Sequence, residues 1–195
     1  MRKFFIINTL LLLFSFNVKA IEFKPYISSK INSNFINYDI KGGEDFKKTI
    51  FSGSVAVGFF NPDNSLPLRA EFEFSVLPKV EKTTSIIISN LNTRIKLNTY
   101  YLNLYYDFYN LGDIIILYLN SGFGLAKVDI KMETLKVALD KKKISFSWQV
   151  GLGSYYKIND NLFADLGLKY NQTSFSNIDL DTDIIILSLG LKYNF

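Results

Sequence analysis

From about residue 23 to its last residue, the chain alternates apolar and polar side chains with a period of two. Only a strand sends successive side chains to opposite faces, so this rhythm commits the chain to strands with two unlike surfaces. In "LRAEFEFSV", Leu68, Ala70, Phe72, Phe74 and Val76 alternate with Arg69, Glu71, Glu73 and Ser75. In "LSLGLKYNF", Leu187, Leu189, Leu191, Tyr193 and Phe195 alternate with Ser188, Gly190, Lys192 and Asn194. The same pattern recurs at residues 23–31, 51–59, 99–108, 114–126, 146–156 and 162–170, which makes eight segments in all. The fifth begins "IIILYL", apolar on both faces, so its register is the least defined by pattern.

The connections also alternate. Residues 61–67, 109–113 and 158–161 are short and carry "NPDN", "NLGD" and "IND", the residue types of tight turns. Residues 32–49, 78–95, 127–143 and 171–183 are long and polar and read as surface loops. Short on one side and long on the other describes an up-and-down meander. Closing such a meander removes its unpaired edges, so the predicted fold is all-β, an eight-stranded antiparallel up-and-down barrel.

The orientation of the apolar face decides the solvent. A lipocalin-like barrel turns it inward, and a transmembrane barrel turns it outward to lipid over a polar interior. The row opposite the apolar stripe holds Lys24, Arg69, Glu71, Glu73, Asp107, Asp165, Lys169 and Lys192. It also holds seven glycines beside the large Tyr101, Tyr105, Tyr118 and Tyr155. Four acids balance four bases, as a buried ionic network requires, and glycine beside tyrosine suits a narrow lumen. A transmembrane β-barrel with a plugged, ion-paired lumen is therefore predicted. Aromatic residues, 16% of the chain, then find a place in the membrane interfaces. Phe59, Tyr106, Phe108, Tyr156, Tyr193 and Phe195 fall at one rim, and Phe51, Trp148 and Tyr170 fall nearer the other.

The first 20 residues, "MRKFFIINTLLLLFSFNVKA", have two basic residues, an apolar run and the sequence Val18-Lys19-Ala20. That is the layout of a cleaved signal peptide, too short in its apolar run for a spanning helix of ~20 residues. The barrel domain is then residues 21–195. Removing Arg2, Lys3 and Lys19 from the 22 basic residues leaves 19 against 18 acidic ones. Near-neutrality gives no footprint for nucleic acid.

Several of these segments resemble the opacity-type outer-membrane β-barrels of Gram-negative bacteria. They are "LRAEFEFS", "YYLNLYYDF", "LNSGFGLA", "FSWQVGLGSYYKINDNLFADLGLKY" and "LGLKYNF", spread over residues 68–195. The resemblance implies export to the outer membrane, with lipid around the barrel. It also implies that the stripe Leu187, Leu189, Leu191, Tyr193 and Phe195 is read by the barrel-assembly machinery.

Chemistry is constrained by what is missing. Enzymatic barrels of this size mostly move protons with histidine, and this chain has no histidine and no cysteine. A hydroxyl without a base is a weak nucleophile. Glu71 and Glu73 share a face, but Arg69 beside them points to an ion network. No enzyme, cofactor or metal is therefore expected. Asp179, Asp181 and Asp183 lack the glycine and bidentate glutamate that complete a calcium loop, and they read as a solvated acidic segment. Eight strands also leave too little room for a wide pore. The expected role is that of a structural, surface-exposed barrel. The alternative is an adhesin whose loops bind a host protein or glycan, and a lipid-modifying enzyme is a distant third. "TTSIIISNLNT", unusually apolar for a loop, is expected to extend its flanking strands as an exposed hairpin.

Overall fold

The computed structural model describes residues 23–40, 46–61, 67–86, 89–112, 114–133, 138–175 and 180–195. The strands are β1 (Lys24–Ile40), β2 (Phe46–Phe60), β3 (Leu68–Ile86), β4 (Ser89–Leu111), β5 (Ile115–Glu133), β6 (Ala138–Lys157), β7 (Leu162–Phe175) and β8 (Leu180–Asn194). Each pairs antiparallel with its sequence neighbours. The sheet closes where β1 meets β8, from Tyr26↔Asn194 to Ile40↔Leu180. No helix among the described residues is long and apolar enough to cross a membrane, which says nothing of strands. The segment read as a signal peptide, residues 1–20, lies outside the described residues.

Alternation sorts the side chains as expected in the lower part of the barrel. Along β2, Phe51, Val55, Val57 and Phe59 are exposed while Ser52, Ser54 and Ala56 are buried. Apolar residues cover the outside and polar ones the inside, the reverse of a water-soluble protein. At the short-turn end, Phe59, Tyr106, Phe108, Tyr156, Tyr193 and Phe195 all face out. Tyr109 joins them because a bulge between Asp107 and Tyr109 puts two consecutive aromatics on the outer face. Trp148 and Tyr170 pack edge to face at 5.7 Å farther up.

The short turns fall where expected. Asn159 uses its side-chain Oδ1 to accept the backbone N–H groups of Asn161 and Leu162, at 3.0 and 2.8 Å. In the same turn Lys157 lies 2.8 Å from Asp160 and holds its carboxyl below the usual range by hydrogen bonding and charge. Gly112 sits at φ 59°, a left-handed conformation that glycine adopts without a Cβ penalty.

The four long connections differ from the sequence reading. Strand structure covers most of residues 32–49, 78–95, 127–143 and 171–183, leaving only 41–45, 87–88, 134–137 and 176–179 between strands. The backbone ladder simply continues past the apolar band. In these continuations polar residues stand at consecutive positions of the sequence, so the period of two fades. The segment "TTSIIISNLNT" does extend β3 and β4.

The upper wall is not continuous. The β2–β3 pairing runs only from Phe60↔Arg69 to Gly53↔Val76, although both strands go on. The β6–β7 pairing likewise stops at Ser147↔Thr173. Above the ring, β7–β8–β1–β2 form one sheet and β3–β4–β5–β6 another. Pro78 stands at the bulge between Leu77 and Val80 where β3 leaves β2, a position that tolerates a missing N–H.

Candidate functional site: the lumen and its mouth

Even-numbered residues of β1, β2, β5 and β8 and odd-numbered residues of β3, β4, β6 and β7 point into the barrel, and they stack in layers. At the short-turn end, Arg69 grips Asp107 through Nε to Oδ2 at 2.8 Å and Nη2 to Oδ1 at 2.7 Å. Its Nη1 donates to the Tyr155 hydroxyl at 2.8 Å. The guanidinium also lies over the rings of Tyr105 and Tyr155, at 4.4 and 4.5 Å. Lys192 sits against the other aromatic surfaces there, 4.2 Å from the Tyr155 ring and 4.6 Å from Phe163.

The next layer centres on Lys30, 3.0 Å from Asp165 and 3.8 Å from Glu71. Tyr118 donates to Asp165 at 2.7 Å, and Glu71 accepts from Tyr105 at 2.8 Å and Tyr26 at 3.1 Å. Above it, Lys169 reaches Glu73 at 2.7 Å, and the Asn103 amide donates to the same carboxylate at 2.9 Å. Asn, Ser and Thr side chains follow: Asn34 donates to Ser52 and to the Ile50 carbonyl, both at 2.9 Å. Ile36, Ile50, Leu77 and Ile184 close the stack with an apolar cluster, backed by Leu97 and Ile186. A cavity of about 20 Å³ remains between Glu73, Lys169, Asn34 and Ile184, about one water's worth of space.

Of the inward charges read from the sequence, the fold joins Arg69 with Asp107 and Lys169 with Glu73, and brings Glu71 and Asp165 to one cation. That cation, Lys30, was not in the expected set, although it lies on the same alternation as Lys24. Lys24 sits half-buried at the first residue of β1, and no carboxylate among the described residues pairs with it. Lys192 is buried among rings rather than beside an acid. The apolar cluster is a further addition: Ile36 lies inside the expected loop 32–49, and Ile50 and Ile184 lie just outside the expected strands, yet all three are buried with Leu77. The terminal stripe Leu187, Leu189, Leu191, Tyr193 and Phe195 faces outward along the strand that closes the barrel. Phe195 N–H donates to the Pro25 carbonyl at 3.1 Å.

Both glutamates are committed to cations, and the chain has no histidine to move a proton. In the upper strands Asp181 accepts from Ser174 at 2.6 Å and Asp183 from Tyr170 at 2.7 Å, while Asp179 lies outside the described residues. Among the described residues no three acidic side chains group as a metal site.

Residues 7–195 match the family described as "Outer membrane protein beta-barrel domain". The chain belongs to that family. Its place is therefore the outer membrane of a Gram-negative cell. This outer-membrane barrel is 31% identical over 159 residues to the outer membrane protein PagN of Salmonella typhimurium, covering 72% of this chain and 66% of that one. The chain thus spans just under two thirds of that relative's length. Among solved structures, Neisserial surface protein A superposes with a TM-score of 0.65 at 20% identity, covering 88% of this chain and 97% of that one. Ail, the attachment invasion locus protein of Yersinia pestis, gives 0.61 at 13% identity over 88% and 99%. Ail has also been solved in complex with the heparin analogue sucrose octasulfate, and that structure superposes at 0.56 and 15% identity over 88% and 99%. At these identities the structures speak for the fold.

Proposed function

We propose that the barrel is a sealed anchor in the outer membrane and that its protruding hairpins attach the cell to ligands outside. The observation that carries this is the division of labour along each strand. The lower half carries a lipid-facing exterior and a lumen filled by ion pairs and tyrosines, with no reacting group. The upper half is two free-standing sheets that lipid has no use for. Lys47, Lys48 and Lys142 are exposed there. Likeness to a protein named for attachment, with a sulfated ligand in one of its structures, supports the reading. Loops and edges positioned by a rigid scaffold are where binding function usually resides.

Two measurements test the two halves of the proposal. In planar bilayers the purified protein should give no steady conductance steps, because ion pairs and the apolar cluster block the lumen. Expressed in a non-adherent Gram-negative host, it should increase attachment to cultured cell monolayers, and removing the hairpins should abolish the gain. Steady channels, or attachment no greater than that of the empty host, would overturn the respective half.

The terminal stripe supports a second role. Its five outward side chains lie on the closing strand, and a machine that inserts barrels has that outer face to read before closure. Leu187, Leu189, Leu191, Tyr193 and Phe195 are accordingly proposed as the assembly signal.

A further inference from the structure

Below Gly53 the outer wall is hydrogen-bonded all round, but the upper part of β2 is not. Residues 46–52 pair with β1, from Tyr38↔Phe46 to Asn32↔Ser52, and pair with no second strand among the described residues. The pattern of exposure agrees. Residues 51–59 alternate strictly between exposed and buried, whereas Lys47, Lys48 and Thr49 are all exposed in succession. Both faces are open at residues 47–49, and one backbone edge there is unpaired.

The matching gap on the other side is bridged. There the Ser145 hydroxyl donates to the Ser174 carbonyl. At the β2 gap the contact is apolar, where Ile50 and Leu77 meet in the cluster that floors the notch. A surface depression of about 420 Å³ lies on the other side of β2 from this gap, over β8, β1 and β2, lined by Phe35, Ile185, Lys47, Lys48 and Thr49 among others.

We propose that this edge of β2 is a docking rail for an extended, acidic segment of a partner protein, which adds as a strand. The inference rests on the attachment reading and names the class of ligand. Unpaired N–H and C=O groups along an edge supply affinity in strand addition, and side chains of alternate residues supply specificity. Charge selects the partner. Among the described residues no carboxylate pairs with Lys47 or Lys48. A second copy of this chain would set these lysines against each other, which is how natural edges avoid self-pairing. Consecutive residues of a strand point to opposite faces, so two adjacent carboxylates in the incoming segment would meet Lys47 on one face and Lys48 on the other.

The test uses the full barrel in lipid nanodiscs and a labelled ten-residue peptide of Thr and Val with a central Glu-Glu pair, followed by fluorescence anisotropy. Two further peptides carry N-methyl groups on alternate residues, one in each phase. A strand donates to its neighbour from every second residue only. Methylation in one phase should therefore weaken binding about tenfold or more, and methylation in the other phase should leave it unchanged. The exposed pair Lys47→Glu/Lys48→Glu should lose the acidic peptide and gain its Lys-Lys counterpart. Equal binding of all three acidic peptides would mean that charge alone attracts them, and the rail would be overturned. Displacement by sucrose octasulfate, combined with that insensitivity, would assign the lysines to a sulfated glycan. If no peptide binds while cells carrying the barrel still attach to monolayers, the rail fails and the attachment reading stands.

Discussion

Arg69 holds Asp107 with two guanidinium nitrogens while tyrosine rings box its plane on several sides. Truncating it leaves the Asp107 carboxylate without its cation and the Tyr155 hydroxyl without its donor. Removing one partner of a buried pair costs ~3–5 kcal/mol, whereas replacing both by apolar residues is often close to neutral. Arg69→Ala should therefore lower the temperature at which the folded band converts to the unfolded one on SDS gels. Arg69→Met with Asp107→Leu should recover much of that loss. If Arg69→Ala shifts the transition no further than the outward Leu168→Ala, the ion pair is not a structural support. The glycines give a second contrast. A Cβ at Gly153 would meet the Leu166 carbonyl at 2.5 Å and the Tyr118 hydroxyl, the group that binds Asp165. Gly53 faces outward, and its nearest neighbour would be a backbone oxygen at 4.0 Å. Gly153→Ala should destabilise by ~1–3 kcal/mol through overpacking. Gly53→Ala should be neutral or slightly stabilising, measured in the same gel assay.

Strands of this barrel serve two solvents in succession, and that sets how far each could be read from sequence. Where lipid covers one face and the lumen the other, the period of two is unmistakable, and all eight elements were placed. Farther along the strands polar residues follow one another in sequence, the period fades, and the continuations read as loops. The bulges at Leu77/Val80 and Asp107/Tyr109 shift the alternation by one residue, which no count of apolar positions anticipates. Lys30 escaped notice because its segment, "ISSKINSN", has small polar residues on both faces, so the inward row is not distinct. Ile36 falls inside the expected loop 32–49, and Ile50 and Ile184 fall between an expected loop and an expected strand, so the alternation assigns none of them a face. The upper sheets should be dispensable for the fold. Replacing residues 80–95 and 130–141 by two-residue turns removes hairpin pairs and leaves the lower ion pairs untouched. The shortened protein should still migrate as a compact, heat-modifiable band, with its transition within a few degrees of the parent. Loss of the compact band would mean that the upper sheet is needed to close the barrel.

At the scale of the whole molecule, everything depends on a seam between residues near opposite ends of the chain, such as Tyr26 and Asn194. Phe195 lies beside that seam, hydrogen-bonded to Pro25 and packed edge to face on Tyr193 at 5.3 Å. Losing one interfacial aromatic from a formed barrel is worth ~1–3 kcal/mol. Deletion of Phe195 should therefore permit refolding in detergent. If the stripe is an assembly signal, the same deletion should leave unassembled protein in the periplasm when it is expressed in cells. Equal failure in both settings would make Phe195 structural only, and equal success would give it neither role. Seam closure is also the most non-local contact the chain makes, and such contacts form late because their entropy cost comes before their reward. Lys30 ties the interior to that event. It comes from β1, and its two carboxylates come from β7 and β3, on either side of the seam. Until the ends meet, those groups belong in water. An open sheet thus carries one greasy face and one hydrated face, rather than two greasy ones. The charges buried inside the closed barrel would thus form the water-facing side of the sheet before it closes.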